Sequence, residues 1–158
     1  MVTATTGTAP ANIITLGMYM PISHTPPLLC IGVAPQRYSH DLIAESGEFV
    51  VNIPSINLVE QMHLCGSQSG RDIDKFTTTG LTPIPATHVT PPRIQECIGH
   101  LECRVVQSHS CGDHTLFVGE VLAASVDASV LTDDKFDPLK AKPIVQKNHV
   151  YFTVRDTR

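Results

Sequence analysis

Apolar and polar positions alternate from Val2 to Thr6, break at Gly7-Thr8-Ala9-Pro10 and resume from Asn12 to Ile22. That pattern predicts a hairpin of a short strand and a longer one. Leu28 to Ala34 is almost uniformly apolar, as expected of a strand covered on both faces, and so of a central barrel strand rather than an edge. From Ser39 the period lengthens. Leu42 and Ile43 share a face, Ser39 suits an N-cap and Gly47 a C-cap, which predicts a helix of about two turns. Glu48 to Ile53 reads as a strand stopped by Pro54. Asn57 to Cys65 carries apolar residues at 58, 59, 62, 64 and 65, predicting a second helix capped by Asn57 and stopped by Gly66. A third, brief helix is expected from Asp74 to Gly80.

Pro83, Pro85, Pro91 and Pro92 bar the next stretch from a central strand, so it should run along the surface or a subunit contact. Cys97 to His109 and Thr115 to Val126 form a long hairpin around Ser110-Cys111-Gly112-Asp113-His114. Asp133 to Lys142 reads as loop, and Pro143 to Val145 with His149 to Val154 supply the last strand or pair. About six to eight strands interrupted by short helices point to a mainly β closed antiparallel barrel, not a doubly wound parallel sheet. No repeat or linker divides the chain, so residues 1–158 are expected to form one domain.

Charge narrows the function classes. A net charge of -4 with 11 scattered Lys and Arg argues against a nucleic-acid binder, although two or three cations suffice for one phosphate. No apolar run approaches the roughly 20 residues that cross a bilayer, and Met1 to Thr6 has no signal-type pattern, so no membrane association and a cytoplasmic location are expected. The five cysteines, Cys30, Cys65, Cys97, Cys103 and Cys111, contain no C-x-x-C pair; reduced thiols are expected, with Cys30 and Cys103 as small core residues. Only His109 and His114 have zinc-like spacing, so no metal site is expected. There is no G-x-S-x-G, Walker or G-x-G-x-x-G motif. A helix start at Ser39 with Arg37 just ahead does offer free N–H groups, a positive dipole end and a guanidinium, which suit a phosphate.

Asn12 to Ser23, Thr25-Pro26-Pro27, Leu28 to Val33, Arg37 to Ile43 and Ser67-Gln68-Ser69-Gly70-Arg71-Asp72-Ile73-Asp74-Lys75-Phe76 resemble the flavin reductase-like family of FMN-binding split β-barrels, in particular its flavoredoxin branch. The similarity runs from about Val2 to Val154. It implies an antiparallel Greek-key-type split barrel that binds FMN. Asn12, Thr15, Leu16, Gly17 and Met18 would lie along the isoalloxazine, where a glycine lets a flat ring approach the main chain. Ser39, with the backbone of His40 and Asp41, would hold the phosphate, with Arg37 and Lys75 as charge partners and Ser67, Ser69, Gly70 and Arg71 as further donors. His114 would stand near the flavin across a dimer interface, and Tyr151 or Phe152 would supply an aromatic. Taken alone, these are also ordinary strand residues, a helix cap, a solvated lysine and a turn histidine. Met18 stands where the family often has tryptophan, and Gln146-Lys147-Asn148-His149 replaces a glycine-containing stretch.

The resemblance implies a homodimer with FMN near the interface, NADH or NADPH as donor, and either a flavin reductase or a flavoredoxin-like carrier passing electrons to free flavin or a redox partner protein. No side chain is needed as a catalytic acid or base, because the flavin carries the hydride. The alternatives are a non-catalytic FMN or ligand binder and a related barrel with haem or pyridoxal phosphate.

Overall fold

The structure, a computed structural model, describes residues 1–147 and 150–156. Its strands are β1 (Val2–Ala4), β2 (Asn12–Ile14), β3 (Tyr19–His24), β4 (Pro27–Val33), β5 (Glu48–Ile53), β6 (Pro83–Ile84), β7 (Arg93–Ile94), β8 (Gly99–Cys111), β9 (His114–Val126), β10 (Leu131–Thr132), β11 (Lys135–Phe136), β12 (Val145–Lys147) and β13 (Val150–Phe152). The helices are α1 (Tyr38–Ser46), α2 (Val59–Ser67), α3 (Lys75–Thr79) and α4 (Pro138–Ala141). Seven strands form one antiparallel sheet in the order β2-β1-β5-β8-β9-β4-β3. Its two edges, β2 and β3, are consecutive in the chain, so Thr15 to Met18 must carry the backbone from one edge of the sheet to the other. This is the expected mainly β split-barrel architecture. Among the described residues no helix is long and apolar enough to cross a membrane.

Apolar burial organises two clusters. Phe49, Ile31, Val33, Leu42, Ile43, Cys103 and Phe117 pack between the sheet and α1. Ile13, Met62, Cys65, Leu81, Ile94 and Cys97 form a second cluster where β2 meets α2. Polar groups buried beside them are matched: Asn52 is fully buried, accepts from Ile94 N at 2.8 Å and donates to Thr3 Oγ1 at 3.1 Å. The proline-rich stretch lies outside the main sheet, as its missing donors require. It is anchored by Glu102, whose carboxylate accepts from Thr87 N and, at 2.7 Å, from His88 N.

Several boundaries differ from the sequence pattern, each for a local reason. Asn12 to Ile22 is not one strand: Thr15 Oγ1 donates to Met62 O at 2.6 Å, and Met18 O accepts from Gly32 N at 3.0 Å, so the chain leaves β1 for β4 between them. Ser39 is not the cap of α1. Arg37 occupies that position without a side-chain capping bond, while the Ser39 hydroxyl is buried and accepts from Asn12 Nδ2 at 2.8 Å. Asn57 falls in a 3-10 turn, Ile56–Leu58, and α2 runs through Gly66 to Ser67. Gly47 and Gly80 do close α1 and α3 with φ of 67° and 71°. The expected loop from 133 to 142 contains β11 and α4, the latter capped by Asp137. Cys103 is a core residue as expected, whereas Cys30 is only half-buried. Asn148 and His149, part of the expected last strand and of the altered tail, lie outside the described residues.

Candidate functional site

The crossing from β2 to β3 forms one wall of a cleft of about 490 Å³, within the range of small-molecule sites. Thr15, Leu16, Gly17 and Tyr19 line that wall; Met62, His63, Gly66 and Ser67 of α2 line the facing one. Met1, Val2, Val51 and Asn52 form its buried inner end, where the Met1 ammonium donates to Asn52 O at 2.7 Å, and Ile53, Pro54, Pro143, Ile144, Gln146 and Tyr151 complete the lining. Gln146 and Tyr151 are register partners on β12 and β13 and face inward together. Val145, Val150 and Phe152, on the alternate positions, stay exposed.

Two ties hold the walls together. One is the Thr15 hydroxyl on Met62 O. The other is Lys75, whose side chain crosses the interior: its ammonium donates at 2.7 Å both to Ile13 O and to Cys65 O, and the residue is 3% exposed. Burial pushes its pKa down; the Cys65 thiol works against that shift and the Arg37 guanidinium adds to it. Lys75 is therefore not a solvated surface charge, and two of its three N–H donors are taken by main chain.

Of the residues expected at a site, Thr15, Leu16, Gly17, Ser67 and Tyr151 share this cleft. Asn12, Arg37 and Ser39 form a neighbouring group at the start of α1. Asn12 is buried, bonded to Ser39, and packed so closely on Gly70 that a Cβ there would collide with it. Arg71 braces the same turn, with Nη2 at 2.6 Å from Asp41 Oδ2, Nη1 on Gln36 O, and its guanidinium 5.1 Å from the Tyr38 ring centre. Arg37 stays exposed.

Met18 and His114 fall outside the cleft. Met18 is 55% exposed and lies over Gly32, where a Cβ would meet it at 3.1 Å. His114 opens β9 at the hairpin tip, with Nδ1 2.7 Å from Asp113 Oδ1; that contact holds the Asp113 carboxyl below its ordinary range. Phe152, the alternative to Tyr151, points away and is half-exposed.

His63, Met62 and Gly66 were not expected at the site. The i, i+4 pairs Met62/Gly66 and His63/Ser67 lie along adjacent rows of α2, a signal hidden by ending the helix at Gly66. His63 also marks the mouth: its Nδ1 is 3.4 Å from Tyr151 Oη, and the two rings meet edge to face at 6.4 Å. Among the described residues no cluster of three metal-ligating side chains exists. The cleft thus offers main chain, hydroxyls, the Asn52 and Gln146 amides, the His63 imidazole, the buried Met1 ammonium and apolar surface, a chemistry suited to a flat ring with a polar edge.

A sequence profile described as flavin reductase like domain matches residues 1–154. The chain is similar to the flavoredoxin of Methanosarcina acetivorans, with a TM-score of 0.90 and 33% identity over 99% of this chain and 84% of that one. It is 42% identical over 116 residues to an uncharacterized protein of Archaeoglobus fulgidus, covering 73% of this chain and 66% of that relative. It is 29% identical over 129 residues to an FMN reductase (NADH) of Agrobacterium fabrum, covering 79% of this chain and 67% of that one. The matched stretch thus spans about two thirds of the length of these curated relatives.

Proposed function

The chain belongs to the flavin reductase like domain family, and on that premise we propose that it is an FMN-binding oxidoreductase that draws on NADH or NADPH and passes electrons to free flavin or to a partner protein. The observation that carries this reading is the open lip at Gly17. A Cβ there would meet nothing within 4 Å, so a planar ring can lie directly on main chain between Leu16 and Tyr19, facing Gly66 and Ser67.

The residues present fit FMN in two parts. Thr15, Leu16, Gly17, Ser67 and Tyr151 would hold the isoalloxazine, with hydroxyls and main-chain groups for its polar edge. The first turn of α1, lacking a side-chain cap, would turn the N–H groups ahead of His40 to the phosphate, with Arg37 as the exposed cation; the His40 N–H is already taken by Arg37 O at 2.9 Å. Ser39 and Asn12 fix that turn against β2. Lys75 adds positive charge behind both parts. When bound, the flavin supplies hydride and electron transfer. The polypeptide need only keep the ring flat, leave one face accessible and exclude bulk water from the inner end.

The same reading includes a homodimer. Edge strand β3 presents Tyr19, Met20 and Ile22, with Met18 just ahead, all at least 44% exposed; an apolar edge of this kind favours a second copy. His114 does not line the cleft of its own chain, so a role beside the cofactor requires such a copy.

The test is an anaerobic spectrum of protein purified with added FMN. Bands near ~370 and ~450 nm that bleach on addition of NADH or NADPH support the reductase reading. Bleaching by dithionite alone supports a carrier. Colourless protein that ignores FMN overturns both.

A further inference from the structure

Resting on the flavoprotein reading of the cleft, we propose that the electron donor is NADH in preference to NADPH, and that Glu60 makes the choice from a second cavity on the outer face of α2. This cavity, of about 480 Å³, meets the cleft at His63, Ser67 and Tyr151 and extends beyond it over Val59, Glu60, Leu64 and Gln68. Residues 60, 63, 64 and 67 follow one another at helical spacing along a single face of α2. From Glu60 to Ser67 is about 10 Å along the helix axis. A dinucleotide with its nicotinamide at the shared mouth therefore lays its adenosine half toward Glu60.

The ionisable groups of this lining are Glu60, His63 and Tyr151, and among the described residues no Lys or Arg belongs to it. Of the cations that brace the neighbouring site, Lys75 is held on two carbonyls and Arg71 on Asp41. Glu60 is exposed in the first turn of α2, and among the described residues no hydrogen bond or ion pair engages its carboxylate. A free carboxylate only accepts, and its two oxygens can receive the paired hydroxyls of a ribose. The 2′-phosphate of NADPH brings negative charge to the same place, where the carboxylate repels it and no cation of the lining compensates its lost hydration. Val59 and Leu64 offer apolar surface to the adenine. Apart from Tyr151, every described residue of the lining belongs to α2 or its C-cap, so the cavity is a groove along the surface in which a pyrophosphate stays in water.

Equilibrium dialysis of FMN-loaded protein against the tetrahydro forms of NADH and NADPH, which cannot give up hydride, reads donor binding apart from turnover. Tetrahydro-NADH is expected to bind roughly tenfold more tightly at low salt, with a ratio that shrinks as added salt screens the exposed carboxylate. Glu60→Gln should bring the two affinities together and Glu60→Lys should favour the phosphorylated form. Both variants should retain FMN, because Glu60 lies outside the cleft. Equal affinities in the unaltered protein, a preference for tetrahydro-NADPH, a ratio unmoved by Glu60→Lys, or FMN-loaded protein that binds neither would overturn the proposal. If FMN itself is not retained, the flavoprotein reading fails instead. Dialysis of the FMN-free protein then decides the selection by itself: a preference for tetrahydro-NADH that Glu60→Lys removes upholds it, and no preference overturns it.

Discussion

Replacing Lys75 by methionine tests whether its ammonium joins the walls of the cleft. Methionine keeps a long apolar stem and deletes only the donors, so Ile13 O and Cys65 O, each bonded at 2.7 Å, lose their partner. A buried group left unpaired costs roughly 1–3 kcal/mol. Two such losses are partly offset because an ammonium with no carboxylate beside it no longer has to be desolvated. A net loss of about 2–3 kcal/mol is expected, a fall in Tm of about 4–12 °C for a chain of this size. The pH dependence supplies a second signature. Burial holds the folded-state pKa of Lys75 below its ordinary 10.5, so between that lowered value and 10.5 the unfolded chain binds more protons than the folded one. Stability from this group therefore rises with pH across that window, and the full cost of the buried charge is present below it. Lys75→Met lacks that slope, so its deficit should widen on going from about pH 7 to about pH 10. Thermal unfolding of FMN-free protein followed by circular dichroism reads both effects. A Tm within about a degree of the unaltered protein, with FMN binding alone impaired, would refute the tie and return Lys75 to the role of a surface phosphate ligand.

Gly17→Val should weaken FMN retention roughly tenfold or more while leaving the Tm of FMN-free protein in place, because the new side chain enters only the open lip; a fluorescence titration checks it. Ser39→Ala removes the acceptor of the buried Asn12 amide and should cost about 1–2 kcal/mol in urea unfolding, with looser FMN binding. His100 is buried with Nε2 donating to Ile94 O at 2.8 Å, and burial depresses its pKa below 6.5. The unfolded chain takes up a proton as pH falls through 6.5 while the folded chain resists, so stability should drop below that pH, and His100→Gln should flatten the decline in urea midpoints.

Regular spacing carried most of the fold. The uniform apolar run of β4, the paired long strands β8 and β9 and the glycine closures of α1 and α3 follow from period and turn chemistry. What spacing could not show was the break between β2 and β3. Asn12 to Ile22 has the composition of one strand, and only tertiary bonds from Thr15 to α2 and from Gly32 to Met18 divide it. The site follows the same line. Thr15, Leu16 and Gly17 were legible through the family resemblance of Asn12 to Met18, not through spacing, whereas the inward turn of Lys75 depends on carbonyls of Ile13 and Cys65. Ser39 has the residue type of a cap, yet its hydroxyl is claimed by Asn12, a partner 27 residues away. His63 gave no local signal beyond its helical neighbour Ser67.

The central claim is tested most directly by titrating the protein into FMN and following flavin fluorescence at equilibrium. Saturable quenching with one FMN per chain, weakened by Gly17→Val, is the expected result. Fluorescence that remains that of free FMN at protein concentrations far above the flavin would contradict it.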